Sequence, residues 1–97
     1  MKLSAEEITT RLDQCPGWTL EGLAIRKTYR LDSFADAIAF VTRLAFAAEA
    51  ADHHPDLHVS YRNVTVTWST HSAGGLTARD FDGAQQSDMI AARLLPR

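Results

Sequence analysis

Three of the four histidines, His53, His54 and His71, lie where the sequence changes from one regular segment to another. Histidine can both donate and accept a proton near neutral pH, because its ordinary pKa is about 6.5. His53 and His54 are adjacent, and two stretches of alternating residues separate them from His71. A hairpin made of those stretches would bring His71 back toward the pair. The pattern therefore indicates proton-transfer chemistry at a site that the fold must assemble.

Other interpretations of these histidines remain open at this point. Adjacent histidines before Pro55 are also typical of a helix C-terminus, where an imidazolium complements the helix dipole. The histidines could instead bind zinc, but Pro55 disrupts the helical spacing of His54 and His58, and no H-E-x-x-H motif is present. Hydroxyl side chains surround His71, yet the sequence contains no pattern typical of a Ser–His–Asp hydrolase.

Length and composition restrict the class of protein. The chain has 97 residues, 45% hydrophobic and 23% charged, which predicts one globular domain over residues 1–97. Ten basic and twelve acidic residues give a formal net charge of −2 without a basic cluster, which argues against direct nucleic-acid binding. Cys15 is the only cysteine, which fits a reducing cytosol. Without a signal peptide or a membrane-length apolar run, we expect a cytoplasmic protein.

Local signals predict the element order α-β-β-α-β-β-α. A capping box at Ser4 and Glu7 starts the first helix, Ser33 starts the second, and Thr77 precedes the third. Alternating residues predict four strands, over residues 18–20, 23–31, 57–61 and 64–70. Hairpins joined by helices favour an α+β two-layer sandwich, in which a four-stranded antiparallel sheet carries three helices on one face.

Helical periodicity predicts which side chains pack. On the second helix, the predicted packed face consists of Phe34, Ile38, Val41, Leu44, Ala45 and Ala48. On the last helix, Phe81, Ala84, Ala92 and Leu95 face one way, and Ile90 and Leu94 face the other. Phe46 lies among small residues on the other side of the second helix, so that side is either a subunit contact or an alanine-rich solvent face. Lys27 interrupts its strand, which predicts an edge strand or a lysine that reaches solvent.

The pattern formed by these residues resembles a known family. The matching pattern consists of Glu49, three residues, His53-His54-Pro55, and then Tyr61, His71 and Asp80 at their spacing. In this pattern the sequence resembles the pterin-4a-carbinolamine dehydratases, also called 4a-hydroxytetrahydrobiopterin dehydratases. Gly17-Trp18 and Gly74-Gly75-Leu76-Thr77 support the resemblance, which spans nearly the whole chain. Gly83 and Ser87 stand where that family more often has larger aliphatic residues.

The resemblance implies a hydro-lyase that removes water from 4a-hydroxytetrahydropterin and leaves quinonoid dihydropterin, without a metal or an organic cofactor. It implies proton transfer by His53 and His71, and substrate binding by His54 with a share in the acid role. Asp80 would orient an imidazole or bind the pterin. The residues expected to line the substrate are Glu49, Asp52, Pro55 and Thr70. The resemblance also implies a homodimer or a homotetramer.

A function of a different class is the alternative. Members of this fold family also serve as binding or assembly modules that stabilise a partner protein's oligomer, and some such relatives lack the histidines. This chain retains His53, His54, His71 and Asp80. We therefore expect catalysis on a small pterin, with neither nucleic acid nor a membrane as a direct partner.

Overall fold

A computed structural model describes residues 1–94, which form three helices and four strands. Their order is α1 (Ala5–Asp13), β1 (Thr19–Glu21), β2 (Ala24–Arg30), α2 (Phe34–Ala51), β3 (Asp56–Ser60), β4 (Asn63–Trp68) and α3 (Ala78–Leu94). The strands form one antiparallel sheet in the order β1-β2-β4-β3, and the helices pack on one face of it. The predicted α+β sandwich and its element order are confirmed. Leu95 lies outside the described residues.

The helices begin where the capping signals place them. The backbone N–H of Glu7 donates to Ser4 Oγ at 3.2 Å, and the backbone N–H of Ser4 donates to Glu7 Oε1 at 3.0 Å. These two contacts with Ser4 lower the pKa of the Glu7 carboxyl. At the start of α2, the N–H of Asp36 donates to Ser33 Oγ at 3.0 Å. Side chains that accept the otherwise unpaired N–H groups of a first turn stabilise the helix start, so the sequence signals and the structure agree.

The second hairpin turns one residue earlier than the predicted turn at residues 62–63. Asn63 pairs with Ser60 across the strands, so Tyr61 and Arg62 form the loop. Tyr61 has a φ of 53°, a left-handed conformation that is uncommon for an aromatic residue. The sequence could not indicate a left-handed conformation at Tyr61, because Asn is the residue that usually favours it and the nearby Asn is at position 63.

The packed faces of the helices differ in part from the predictions. On α2 the buried residues are Ala37, Phe40, Leu44 and Ala48. Phe34 and Ile38, which we expected on that face, are 53% and 41% exposed. Apolar residues occur nearly all round α2, so their periodicity does not determine which stripe is buried. On α3, Ala91 is buried and Ala92 is exposed, whereas Phe81 and Ala84 pack as predicted.

Lys27 does not mark an edge strand, because β2 lies inside the sheet between β1 and β4. Its ammonium lies 2.8 Å from Asp88 Oδ1 on α3. The hydroxyl of Tyr29 and the indole N–H of Trp18 donate to the same carboxylate. The Lys27 stem also passes close to Gly17, where a Cβ would lie 2.9 Å from Lys27 Cε. The lysine therefore ties α3 to the sheet, while its side chain remains 24% exposed.

Replacing Tyr29 tests this network by its effect on the stability of the protein at alkaline pH. Burial and the hydrogen bond to Asp88 raise the pKa of Tyr29 above its ordinary value of 10. The unfolded chain therefore loses the phenolic proton first, and the free energy of unfolding decreases as pH rises above about 10. We expect Tyr29→Phe to remove that part of the decrease, as measured by urea unfolding between about pH 8 and about pH 11.

The matched control is Tyr61→Phe, since Tyr61 is the other tyrosine and is exposed in the β3–β4 loop. It should retain the parental dependence on pH. If the free energy of unfolding decreases as steeply at alkaline pH in Tyr29→Phe as in the parental protein, the role assigned to Tyr29 is contradicted.

Candidate active site

The C-terminus of α2 directs the chain toward the sheet. Asp52 caps the helix in a left-handed conformation, with a φ of 51°. The N–H of His53 then donates to the carbonyl of Ala48 at 3.1 Å, which closes the end of the helix. Asp, like Asn, adopts this conformation more readily than most side chains, so the local sequence suits the reversal. His53 consequently leaves the helix on its inner side.

Asp80 in the first turn of α3 is fully buried, with no exposed surface. Its Oδ1 lies 2.6 Å from Nε2 of His53. Its Oδ2 accepts from the hydroxyl of Thr70 at 2.7 Å and from the backbone N–H of Thr77 at 2.9 Å. The two threonine hydroxyls are themselves 2.9 Å apart. One carboxylate therefore joins the segments that follow α2, follow β4 and precede α3.

These hydrogen bonds determine where the protons lie. A carboxylate only accepts, so Nε2 of His53 donates to Asp80, and the neutral ring has its lone pair on Nδ1. Thr70 gives its one hydroxyl proton to Asp80, so the hydroxyl of Thr77 donates to Thr70 Oγ1. A neutral imidazole in this setting can accept a proton at Nδ1, and the carboxylate stabilises the imidazolium that results. The arrangement is suited to general acid–base chemistry.

The imidazole of His53 also stacks on the indole of Trp68, with ring centroids 5.3 Å apart and an angle of 22° between the ring planes. Both rings line a cavity of about 200 Å³ between α2 and α3. Leu44, Ala47 and Ala48 of α2 form an apolar wall of this cavity, and Arg79, Asp82 and Gln86 of α3 also line it. His53 is therefore a largely buried ring beside a mainly apolar space.

The other predicted site residues lie apart from this pair. Nε2 of His54 lies 2.6 Å from Oε1 of Glu49, and both side chains are more than half exposed, at 54% and 75%. His71 begins a 3-10 turn, with Nε2 3.4 Å from Ser69 Oγ, and lines a second cavity of about 310 Å³.

Three further residues predicted to line the substrate have different surroundings. Thr70 is buried and also lines the second cavity. Asp52 is exposed at the α2 cap, and Pro55 is half-buried before β3. The chain thus brings together His53, Asp80 and Thr70, while His54 and His71 are exposed and His71 lines a different cavity from His53.

Two contacts of the site were not anticipated from the sequence. Nη2 of Arg79 donates to the carbonyls of Ala51 and Asp52 at 2.8 Å and 2.7 Å, which links the end of α2 to the start of α3. Trp68 is buried, and its stacking on His53 had no sequence signal. The predicted start of the last helix at Thr77 and Asp80 agrees with the hydrogen bond between them, but it did not indicate the tertiary partners of the carboxylate.

Two structural findings bear on the possible ligands. Across residues 1–94, the His, Cys, Asp and Glu side chains form no group of three or more that could hold a metal ion. His53 instead contacts Asp80, and His54 contacts Glu49. No helix in the described part of the chain is both long enough and apolar enough to cross a membrane.

The fold and the site define a small α+β protein with a buried histidine–aspartate pair. Residues 1–90 match the family described as Pterin 4 alpha carbinolamine dehydratase, and the chain belongs to this family. A relative in Roseiflexus sp. (strain RS-1) is 55% identical over 92% of this chain and 96% of that protein. A second, in Nocardia farcinica (strain IFM 10152), is 54% identical over 92% and 94%. Both bear pterin-4-alpha-carbinolamine dehydratase as a provisional name.

Solved structures agree with this membership. A crystal structure from Brucella melitensis, described as a transcriptional coactivator/pterin dehydratase, matches with a TM-score of 0.90 and 33% identity over 94% of this chain and 99% of that one. A pterin dehydratase-like protein identified as a RuBisCO assembly factor in the alpha-carboxysome matches with a TM-score of 0.64 and 20% identity over 76% and 86%, which indicates the fold alone. The predicted resemblance, and with it a hydro-lyase, is confirmed at the level of the family.

Replacing Asp80 tests whether its carboxylate holds these segments together. Asp80→Asn removes the negative charge that three donors share and turns one acceptor into a donor group. We expect the free energy of unfolding to fall by about 2–4 kcal/mol, because buried donors lose a charged acceptor. Urea unfolding at fixed protein concentration measures the change.

Asp82→Asn is the matched control, since Asp82 is two positions along the same helix and is exposed. It should change the stability by no more than about 0.5 kcal/mol. Equal losses in the two variants would show that Asp80 has no special structural role.

Proposed function

We propose that this protein dehydrates a 4a-hydroxytetrahydropterin to the quinonoid dihydropterin by histidine acid–base catalysis, without a metal or an organic cofactor. The observation that carries the proposal is the buried pair of His53 and Asp80, in a chain that belongs to the pterin carbinolamine dehydratase family. The pair supplies an oriented imidazole whose protonated form has a carboxylate partner. Such a group can accept the proton that N5 loses when water leaves the pterin.

The reaction needs one acid and one base. The C4a–O bond breaks as an acid protonates the departing hydroxyl, which leaves as water. The electron pair on N5 forms the N5=C4a double bond, and a base accepts the proton that N5 loses. Each positioned acid or base typically contributes about 10²–10⁴-fold to the rate. Two positioned histidines, one acting as the acid and one as the base, are therefore sufficient for both proton transfers.

The geometry supports separate roles for the histidines in this proposal. His53 acts as the base, because Asp80 stabilises the imidazolium that forms when Nδ1 takes a proton. His71 acts as the acid at the departing hydroxyl. His54 binds the pterin and shares the acid role, since its contact with Glu49 is exposed and can open to a ligand. Asp52, Pro55 and Thr70 are the proposed lining residues.

Separate histidine variants test this mechanism. The carbinolamine is generated with a pterin-dependent hydroxylase, and its ultraviolet decay is followed with and without this protein. We expect His53→Ala and His71→Ala each to reduce the acceleration by about 10²–10⁴-fold, because each loses one proton-transfer group. His54→Ala should mainly raise KM. The histidines are replaced one at a time because His53 and His71 line different cavities.

The control is His58→Ala, which removes the remaining histidine from an exposed position on β3 and should retain parental activity. Acceleration that survives both His53→Ala and His71→Ala would refute the histidine mechanism. If the acceleration is lost in only one of these two variants, the histidine replaced in that variant remains the sole proton-transfer group of this proposal.

The proposal includes a homodimer or a homotetramer in the cytoplasm. Support comes from large apolar side chains that α2 leaves exposed, among them Phe34 and Ile38, with Phe46 at 75% exposure. Exposed apolar groups on one helix favour association with a second copy. The single buried cysteine, Cys15, is consistent with a reducing compartment.

Replacing Phe46 tests the association. We expect Phe46→Glu to shift the protein toward smaller species, because a carboxylate would be buried where an aromatic ring packed. Sedimentation velocity over a range of protein concentrations measures the shift. Tyr61→Glu provides a control for an exposed aromatic residue on the hairpin loop. A mass distribution unchanged by Phe46→Glu would exclude this part of α2 from the subunit contact.

A non-catalytic assembly role is the alternative. The relative that is described as a RuBisCO assembly factor has only the fold in common with this chain at 20% identity, so it lends the alternative no residue-level support. An assembly role would be favoured if the inactive double variant His53→Ala/His71→Ala retained a stoichiometric protein partner. Activity that depends on His53 and His71 favours the dehydratase.

A further inference from the structure

Trp68 ends β4 with its indole ring against α3 at Gly83. A Cβ built on Gly83 would lie 2.6 Å from Cδ2 and Cε2 of the indole and 2.7 Å from Cζ2. Real Cβ atoms do not approach other atoms so closely, so no side chain fits at position 83 without displacing the indole. The glycine therefore provides the space in which the indole lies.

Ser87 fixes the orientation of the same ring. The indole Nε1–H of Trp68 donates to Ser87 Oγ at 3.2 Å. The hydroxyl of Ser87 in turn donates to the carbonyl of Gly83 at 2.8 Å. Trp68 is 2% exposed and Ser87 is fully buried, so water does not compete with these bonds. The indole is thus held by close packing on its face and by a hydrogen bond at its edge.

His53 lies against this ring and is subject to two independent constraints. The contact between Nε2 and Asp80 fixes the direction in which the imidazole points. The stack on Trp68, at 5.3 Å and 22°, fixes the plane of the imidazole about that direction. A single hydrogen bond would leave the ring free to rotate about the line between the two bonded atoms.

We propose that Trp68, seated by Gly83 and Ser87, is a positioning residue that sets the ring plane of His53 for proton transfer. This inference rests on the proposed function. Trp68 acts through His53, because its ring is almost fully buried and has little surface for a ligand. An indole face also attracts a cation, so the stack favours the imidazolium that forms when His53 accepts a proton.

Kinetics on Trp68 variants test the positioning role. Trp68→Leu keeps an apolar side chain but removes the aromatic plane, and we expect kcat to fall about tenfold while KM changes less than about twofold. Trp68→Phe restores an aromatic face without the N–H group and should recover most of the loss. Trp18→Phe, which alters the other tryptophan near Asp88, is the control and should leave kcat unchanged.

Proton NMR supplies a readout that does not depend on activity. Removing the indole should move the ring-proton resonances of His53 by more than those of His54, His58 and His71, because only His53 stacks on Trp68. In Ser87→Ala the indole remains but loses its hydrogen bond, so we expect a smaller movement and a smaller decrease in kcat. This variant and Trp68→Phe carry the test if Trp68→Leu does not fold.

The possible outcomes separate the positioning role from the dehydratase activity. Unmoved His53 resonances in Trp68→Leu and Ser87→Ala would overturn the stacking. If the His53 resonances move in these variants but kcat stays within about twofold of the parental value, the positioning role alone is overturned. A parental protein that does not accelerate the decay would overturn the proposed function, and the positioning role with it, even where NMR detects the stack. Moved resonances together with the decrease in kcat and its recovery in Trp68→Phe support the proposal.

Discussion

A buried carboxylate is the constraint on which the site depends. Asp80 has no exposed surface, and removing an ionised carboxylate from water costs several kcal/mol unless donors replace the water. The donors come from His53 after α2, Thr70 after β4 and Thr77 before α3. None of these segments can shift without leaving the carboxylate short of a partner. The carboxylate that orients His53 therefore also holds these three segments together.

Further contacts of α3 with the rest of the protein lie along the length of the helix. Asp80 lies in its first turn, and Asp88 lies two turns later, about 12 Å further along the axis. Asp88 accepts from Lys27 and Tyr29 of β2 and from Trp18 before β1. Between the two carboxylates, Gly83 and Ser87 receive the indole of Trp68 from β4. Helix α3 is thus held by Asp80 in its first turn, by Asp88 about two turns later and by an aromatic ring between them. This is consistent with a buried face of α3 that combines Phe81 with small and polar residues and has no row of large aliphatic residues.

Local signals were sufficient for the order of elements and insufficient for their packed faces. The Ser4 and Ser33 caps and the alternation in β4 act within a few residues of the chain, so the sequence predicts them directly. The packed stripe of α2 depends on which side meets the sheet, and apolar residues occur on most sides of that helix. Ala37 and Phe40 are buried there, while Phe34 is not.

The same difference between local signals and tertiary packing applies to the site. The family resemblance singled out Asp80 and implied that it orients an imidazole or binds the pterin. The stack of His53 on Trp68 depends on the absence of a side chain at Gly83, which lies on another element. The sequence marks Gly83 and Ser87 only as unusually small residues. Their partner across the core becomes apparent only when the sheet and α3 are packed together.

The contrast among the histidines has a physical consequence for catalysis. In the proposed mechanism His53 is the base, and a hydrogen bond and a stacked ring already hold it in place, so little reorganisation would accompany its protonation. His54 and His71 are exposed and can adjust to a ligand that approaches from solvent. A chain of 97 residues has a small core, and it fixes in place only the imidazole that adjoins that core. Rigidity is thus concentrated at His53, which a buried carboxylate supports, and freedom to adjust remains at the exposed rings of His54 and His71.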